Sequence, residues 1–248
     1  MQRYFIDEVV LSDQPFTLSS EDNHHLVRVM RARLHEKVLV VDKNHHVFLS
    51  EVIFLDNHQA TLSVVEAIEE VKELPVNITI ACGLSKNDKL DYIVQKGTEC
   101  GMNQFIPLSL ERDVVKWQAN KAFNRIERLQ KIAKEAAEQS HRTRIPTIQP
   151  LTHLNQLIKD TLDYDHKLIA YEETAKENKH GQLKETLSNM KAGDSLIIIF
   201  GSEGGLSPLE VDKLKEVGYI ESSLGPRILR AETAPIYALS AISYHFEC

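Results

Sequence analysis

Ile199-Phe200-Gly201-Ser202-Glu203-Gly204-Gly205-Leu206-Ser207-Pro208 is the stretch from which the fold is read. It continues an apolar run, residues 195–200 (SLIIIF), whose length and composition predict a buried strand. Three glycines in five residues then predict a tight turn. Ser207 and Pro208 read as the cap and first residue of a helix. A buried strand, a glycine turn and a capped helix form the repeating unit of an α/β sheet, where ligands sit beyond the carboxyl ends of the strands. The turn has no P-loop lysine and lacks the GxGxxG spacing, so neither nucleotide fingerprint applies. Taken alone, it also suits an ordinary strand-to-helix connection. Glycine is otherwise scarce: 10 in 248 residues, six of them between Gly193 and Gly225. A typical chain carries ~7%, so special backbone geometry is expected in this part of the sequence.

Outward from that stretch, everything after Pro75 alternates between apolar runs and amphipathic segments. Residues 76–83, 104–108, 167–171 and 219–224 read as further strands. Residues 86–101, 120–140, 208–217 and 238–246 read as helices. In the first of these Leu90, Ile93, Val94 and Gly97 face inward and Gly101 caps the end. Continuous apolar strands separated by helices predict a mostly parallel sheet covered on both faces. The first seventy residues differ. Residues 37–41, 46–54 and 60–65 are short β-branched runs, with Asp42-Lys43-Asn44 and Asp56-Asn57-His58 as turn chemistry. A small barrel is expected there. It is interrupted by one helix capped by Ser20 or Asp22, with Leu26, Val29 and Met30 as its apolar stripe. The charged stretch ending at Pro75 marks the boundary, giving domains 1–72 and 73–248.

A second candidate loop is Leu224-Gly225-Pro226-Arg227-Ile228-Leu229-Arg230-Ala231-Glu232-Thr233-Ala234. A strand end again meets a glycine, and a helix starts near Glu232 or Thr233. The Ile-Leu pair between two arginines suits a pocket with an apolar floor for a flat ring; a surface loop with solvated arginines is the plainer reading.

Charge narrows the partner. The net charge of −7 argues against a generic nucleic-acid coat protein. Between Arg112 and Arg144, however, nine basic residues stand against four acidic ones. Arg28, Arg31, Arg33 and Lys37 form a second island. Such islands suit phosphate contacts that position an RNA, although any single residue also reads as part of a solvated helix face. Trp117 and Phe123 lie beside the basic helix, where stacking and packing are both open. Three cysteines without CxxC spacing suit a reducing cytoplasm and offer no zinc ribbon. The adjacent pairs His24-His25 and His45-His46 have the wrong spacing for a structural metal site, so no metal is expected. Absence of GxSxG leaves a hydrolase triad unsupported. Residues 1–11 contain no long apolar run, which predicts no signal peptide. No run is long enough to span a membrane.

These segments together resemble the bacterial ribosomal RNA small subunit methyltransferase E family. The likeness spans the whole chain. It includes His25-Leu26-Val27-Arg28-Val29-Met30-Arg31, Lys89 through Glu99 (KLDYIVQKGTE) and Glu138 through Pro146 (EQSHRTRIP). Above all it includes the two glycine loops in this order. The resemblance implies a SPOUT-type trefoil-knotted methyltransferase domain with a small N-terminal PUA-like β-barrel domain. It implies methylation of N3 of a uridine in 16S rRNA, with S-adenosylmethionine as cofactor, the small ribosomal subunit as partner, a homodimer and a cytoplasmic setting. The cofactor residues it implies are Tyr171, Phe200, Gly201, Gly205, Leu224, Gly225, Ile228, Leu229, Arg230, Thr233 and Ala234. Ser202 stands where the family usually has proline, and His35-Glu36 where it has a glycine in the turn before Val38.

The implied chemistry needs the proton removed from uridine N3 and the resulting charge on O2 and O4 stabilised. Arg230 is the first candidate for that role and Arg142 the second, with Arg144 alongside it. Glu203 is a candidate for orienting the base or an arginine. The plainer role for Arg230 is a salt bridge with Glu232 or Glu203. Arg28, Arg31, Arg33, Arg142 and Arg144 are the candidate RNA contacts. Two rival readings are a SPOUT 2′-O-ribose RNA methyltransferase and a non-enzymatic RNA-binding protein with a vestigial cofactor fold.

Overall fold

In the computed structural model, which describes residues 1–56, 59–171 and 181–248, the chain divides into two compact units. The first comprises Met1–Glu73 and Ala137–Arg144, the second Leu74–Ala136 and Ile145–Cys248.

The first unit is built on a five-stranded sheet: β1 (Arg3–Phe5), β2 (Phe16–Thr17), β3 (Lys37–Val41), β4 (Val47–Leu55) and β5 (Ala60–Ile68). The order is β1-β3-β4-β5-β2. The β1–β3 pair is parallel and the others are antiparallel. Register breaks between Leu49 and Ser50 and between Val52 and Phe54 bend the long hairpin and let the sheet curl. The curled, PUA-like sheet wraps Tyr4, Leu26, Val38, Val40, Val52 and Leu62, all essentially buried. The Asp42 turn is as read: its carboxylate accepts the N–H of Asn44 at 2.8 Å and of His46 at 3.0 Å. Asn57 and His58, read as part of a second turn, lie outside the described residues. His35 adopts φ +68°, so the turn before Val38 keeps a left-handed residue without a glycine.

The helix of this unit differs from expectation. Its cap is Ser19, which accepts the Asp22 N–H at 3.1 Å. Helix α1 (Ser20–His24) then widens into a π-helical turn over His25–Val29. An i→i+5 turn rotates the following side chains away from the α-helical stripe. Leu26 is therefore buried, but Val29 and Met30 stand 58% and 39% exposed. Arg3 is buried as well. It donates to the carbonyls of His141 and Arg142 at 2.9 and 3.0 Å and pairs with Glu70.

The second unit carries the parallel sheet. Its strands are β6 (Asn77–Gly83), β7 (Gln104–Ser109), β8 (Thr147–Ile148), β9 (Thr152–His153), β10 (His166–Ala170), β11 (Ser195–Phe200) and β12 (Ile220–Ser222). The order is β12-β10-β11-β6-β7-β8, with β9 also against β7, and every recorded pairing is parallel. Period-two alternation sends successive side chains of β6 and β11 to opposite faces: Ile78, Ile80 and Ile198 enter one core, while Ala81, Ile197 and Ile199 enter the other. Helices α2 (Lys89–Glu99), α3 (Ala119–Gln139), α4 (Leu154–Asp160), α5 (Gln182–Asn189), α6 (Pro208–Glu216) and α7 (Thr233–Glu247) surround it. Leu90, Ile93, Val94 and Gly97 are buried as read. Helix α2 starts three residues later than expected, and α7 starts five residues earlier than the apolar run alone suggested. Pro235 in its first turn explains the latter, since proline is tolerated there.

Candidate functional site

The sheet positions the site through its carboxyl edge. Strand β10 ends at Ala170 and leads into Tyr171, β11 runs into residues 201–206, and β12 into residues 223–234. All three stretches line one cleft. Its larger lobe, about 420 Å³, is walled by Tyr171, residues 200–206, residues 228–231 and Ala234, with Lys89 and Arg112 at its sides. A smaller lobe of about 80 Å³ is walled by residues 222–225 and 227–229. Ala170, Tyr171, Ile228, Leu229 and Ala234 belong to both lobes.

Local chemistry shapes the first loop. The Gly205 N–H donates to the Ser202 carbonyl at 2.9 Å, closing a turn directly after β11. A Cβ at Gly201 would lie 2.7 Å from the Gly205 backbone, and one at Gly204 only 2.3 Å from the Arg112 carbonyl oxygen. Backbone packs on backbone here at distances no side chain permits. The exit is rigid. Ser207 accepts the Glu210 N–H and Glu210 returns a bond to the Ser207 N–H, a complete capping box with Pro208 at the helix start. The other Glu210 oxygen accepts the Glu111 N–H at 2.8 Å. The second loop is closed by Ser223, whose hydroxyl donates to the Gly225 carbonyl at 2.9 Å and accepts its N–H at 3.1 Å.

Of the residues expected at the cofactor, Tyr171, Phe200, Gly201, Gly205, Leu224, Gly225, Ile228, Leu229, Arg230 and Ala234 all line the cleft. Thr233 does not; it opens α7 and gives its N–H to the Arg230 carbonyl at 2.9 Å.

The charges in the cleft are arranged differently from the sequence reading. Glu203 and Glu232 do not pair with Arg230. Both turn to Lys89, whose ammonium lies 2.9 Å from Glu203 and 3.2 Å from Glu232. Glu203 also accepts the Lys86 N–H at 3.2 Å. Hydrogen bonding to Glu203, and then to Glu232, raises the Lys89 pKa. Partial burial pushes both carboxyls up, but Lys89 and nearby N–H groups outweigh it and hold them below their ordinary range. All three groups are thus ionised at neutral pH, and Glu203 is a poor proton acceptor. Arg230 is exposed at the cleft and forms no ion pair among the described residues. In the sequence Lys89 stands out only as the first residue of the segment 89–99 that resembles the family, with no role at the site. A further signal is its place in the first turn of a helix, where the dipole disfavours a cation.

Arg142 requires correction, having been read as an RNA contact and as a second catalytic candidate. Its side chain is 3% exposed and paired with Glu73. Glu73 also accepts the Thr143 and Arg144 N–H groups at 2.9 and 3.1 Å. A guanidinium this buried, with its Nε and Nη2 on Glu73, is not presented to a ligand at the surface. Arg28, Arg31, Arg33 and Arg144 are exposed. His25 is bonded to the Tyr4 hydroxyl at 3.0 Å, and no metal-binding group of three side chains occurs among the described residues.

Comparison with known proteins adds the relatives. Residues 72–243 match the model of an RNA methyltransferase domain, and residues 18–65 that of an RNA methyltransferase PUA domain. The chain is 42% identical to the ribosomal RNA small subunit methyltransferase E of Bacillus subtilis, covering 100% of this chain and 98% of that one. Among solved structures, a ribosomal RNA small subunit methyltransferase E from Neisseria gonorrhoeae bound to S-adenosylmethionine superposes with TM-score 0.86 at 26% identity, over 98% of this chain and 97% of that one. A methyltransferase from Legionella pneumophila with the same bound cofactor gives 0.87 at 26%, over 98% and 96%.

Proposed function

We infer the reaction from the family to which this chain belongs, the ribosomal RNA small subunit methyltransferase E family. The protein is an S-adenosylmethionine-dependent rRNA methyltransferase whose catalytic domain follows an RNA methyltransferase PUA domain. One observation of its own structure carries the assignment: the two loops read as ligand loops meet in a single cleft at the strand carboxyl ends.

The cleft suits the cofactor. Its volume falls in the range of small-molecule sites, roughly 300–1,000 Å³. Leu224, Ile228 and Leu229 give the smaller lobe a largely apolar wall, and the glycine loop brings bare backbone to the larger one. Leu224, Ile228, Leu229 and Ala234 would hold the adenine ring. S-adenosylmethionine supplies, when bound, an electrophilic methyl group on a sulfonium. This chain then has to fix uridine N3 in line and stabilise the anion left when its proton departs. Positioning contributes several kcal/mol of such a barrier. Arg230, a cation at the cleft with no ion-pair partner among the described residues, stabilises the charge on O2 and O4. Glu203, committed to Lys89, positions the loop.

The target in this reading is N3 of a uridine in 16S rRNA of the small subunit, in the bacterial cytoplasm. Residues 1–72 grip the RNA through Arg28, Arg31 and Arg33, with Arg144 a further contact, and residues 73–248 carry out catalysis. The chain through residues 171, 200–205 and 224–234 follows the family's trefoil thread. Two copies pair through α7, which presents Tyr237 and Tyr244 at 45% and 73% exposure.

The test is methyl transfer from labelled cofactor to small subunits lacking the modification, beside naked rRNA, with the product nucleoside identified by mass spectrometry. N3-methyluridine is the expected product. A 2′-O-methyl product would replace the target assignment, and no cofactor binding by calorimetry would remove the enzyme reading.

A further inference from the structure

A second cavity lies on the same carboxyl edge of the sheet. It measures about 490 Å³ and opens after β6, between the start of α2 and the first half of α3. Its apolar wall is Leu90, Val115, Trp117 and Leu129. Arg125 lies over the Trp117 ring, 5.2 Å from its centroid, so guanidinium and indole form a cation–π shelf. The charges around the shelf are unequal. Arg128 is committed to Asp91 at 2.5 Å and reaches Asp88 at 3.6 Å. Arg125 and Lys86 have no carboxylate partner among the described residues. Asn87, on the rim, sits at φ +57°, a strained conformation of the kind that collects at functional sites.

This cavity adjoins the cofactor cleft without belonging to it. The segment 86–91 walls both: Lys89 faces the cleft, while Lys86, Asp88, Leu90 and Asp91 face the cavity. A ligand here would lie one short segment away from the methylated atom. An apolar floor, a cation–π shelf and a net positive lining, three cations against two carboxylates, match one chemical class. That class is an unpaired nucleotide, whose base stacks and whose phosphate seeks positive charge. A bare phosphate would leave the floor unused, and an apolar peptide would leave the cations unmatched.

We propose that this cavity receives an unpaired nucleotide neighbouring the methylated one, its base against the Trp117–Arg125 shelf. The proposal rests on the rRNA methyltransferase reading. Its role is recognition: it holds the RNA strand so that the target base is presented to the cleft. Trp117 and Arg125 therefore govern how tightly RNA is held, and leave the chemical step alone.

The experiment measures initial rates of methyl transfer against the concentration of unmodified small subunits, with cofactor saturating. Wild type is compared with Arg125→Ala and with Lys213→Ala, an exposed cation on α6 that lies outside both basic islands and does not line the cavity. Arg125→Ala is expected to raise KM for subunits roughly tenfold, the effect of losing one stacking partner. Its kcat and cofactor affinity stay within about twofold, and Lys213→Ala leaves all three parameters near wild type. Trp117→Phe, which keeps an aromatic ring in the shelf, falls between wild type and Arg125→Ala. Retained cofactor affinity shows that each variant is folded. An unchanged KM in Arg125→Ala, or an equal rise in Lys213→Ala, overturns the proposal. Failure of the parent reading looks different: wild type would then methylate no rRNA at all.

Discussion

Replacing Glu73 by glutamine isolates what Arg142 is for. The Arg142 side chain is 3% exposed, and Glu73 is its carboxylate partner, at 17%. Glu73 accepts Arg142 Nε at 3.2 Å, the Thr143 N–H at 2.9 Å and the Arg144 N–H at 3.1 Å. Glutamine keeps one acceptor oxygen but loses the charge and turns an NH₂ toward a buried guanidinium. Breaking one side of a buried pair costs about 3–5 kcal/mol, a large share of the roughly 5–15 kcal/mol that hold a domain folded. Urea unfolding followed by circular dichroism at neutral pH reads that loss directly. The pH dependence supplies the sign. Burial alone would raise the Glu73 pKa, but the Arg142 bonds and charge and the two N–H groups hold it below its ordinary 4.5. A depressed carboxyl contributes its full stability above the unfolded value and loses it as pH falls through the folded one. The gap between wild type and Glu73→Gln is therefore wide at pH 7 and narrows under acid conditions. Removing both charges together, as Glu73→Gln with Arg142→Met, keeps an acceptor for the two N–H groups and is expected to recover part of the loss. A Glu73→Gln cost below about 1 kcal/mol, typical of an exposed pair, would refute the reasoning and return Arg142 to the list of ligand-binding arginines.

Other expectations concern the cleft. Gly204→Ala places a Cβ 2.3 Å from the Arg112 carbonyl, so the loop must shift by about an ångström; calorimetry should show cofactor affinity falling at least roughly tenfold, on the scale that such misplacement costs. Arg230→Ala should lower kcat for methyl transfer at least about tenfold with cofactor affinity nearly kept, and unchanged turnover at saturating cofactor would exclude Arg230 from the chemistry. Lys89→Met leaves Glu203 and Glu232 facing each other without their cation; cofactor affinity should drop severalfold with little change in Tm, while an unchanged affinity would show that the two loops hold themselves.

The legible features were local ones. The turn after β11 and the capping box that follows are encoded within ten residues, by glycines, Ser207, Pro208 and Glu210. The parallel strands show as continuous apolar runs because both of their faces are covered. The likeness to a known family then located about half of the residues that wall the cleft. What escaped depends on partners distant in sequence. Glu73 lies 69 residues from Arg142, so a basic island looked free when one of its members was already neutralised. Lys89 is far in sequence from both of its carboxylates, and nothing in the pattern of residues 201–232 shows that a cation from α2 reaches them. The π-helical turn at His25–Val29 overrode an α-helical stripe in which Val29 and Met30 seemed core residues.

The ion pairs of Lys89 also bear on motion. One ammonium fastens the glycine loop and the loop after β12 from opposite sides of the same cleft. Neither loop can swing out without surrendering a contact that dissolved salt weakens. Any opening that parts these two loops therefore costs at least one of those ion pairs, and costs less as salt rises.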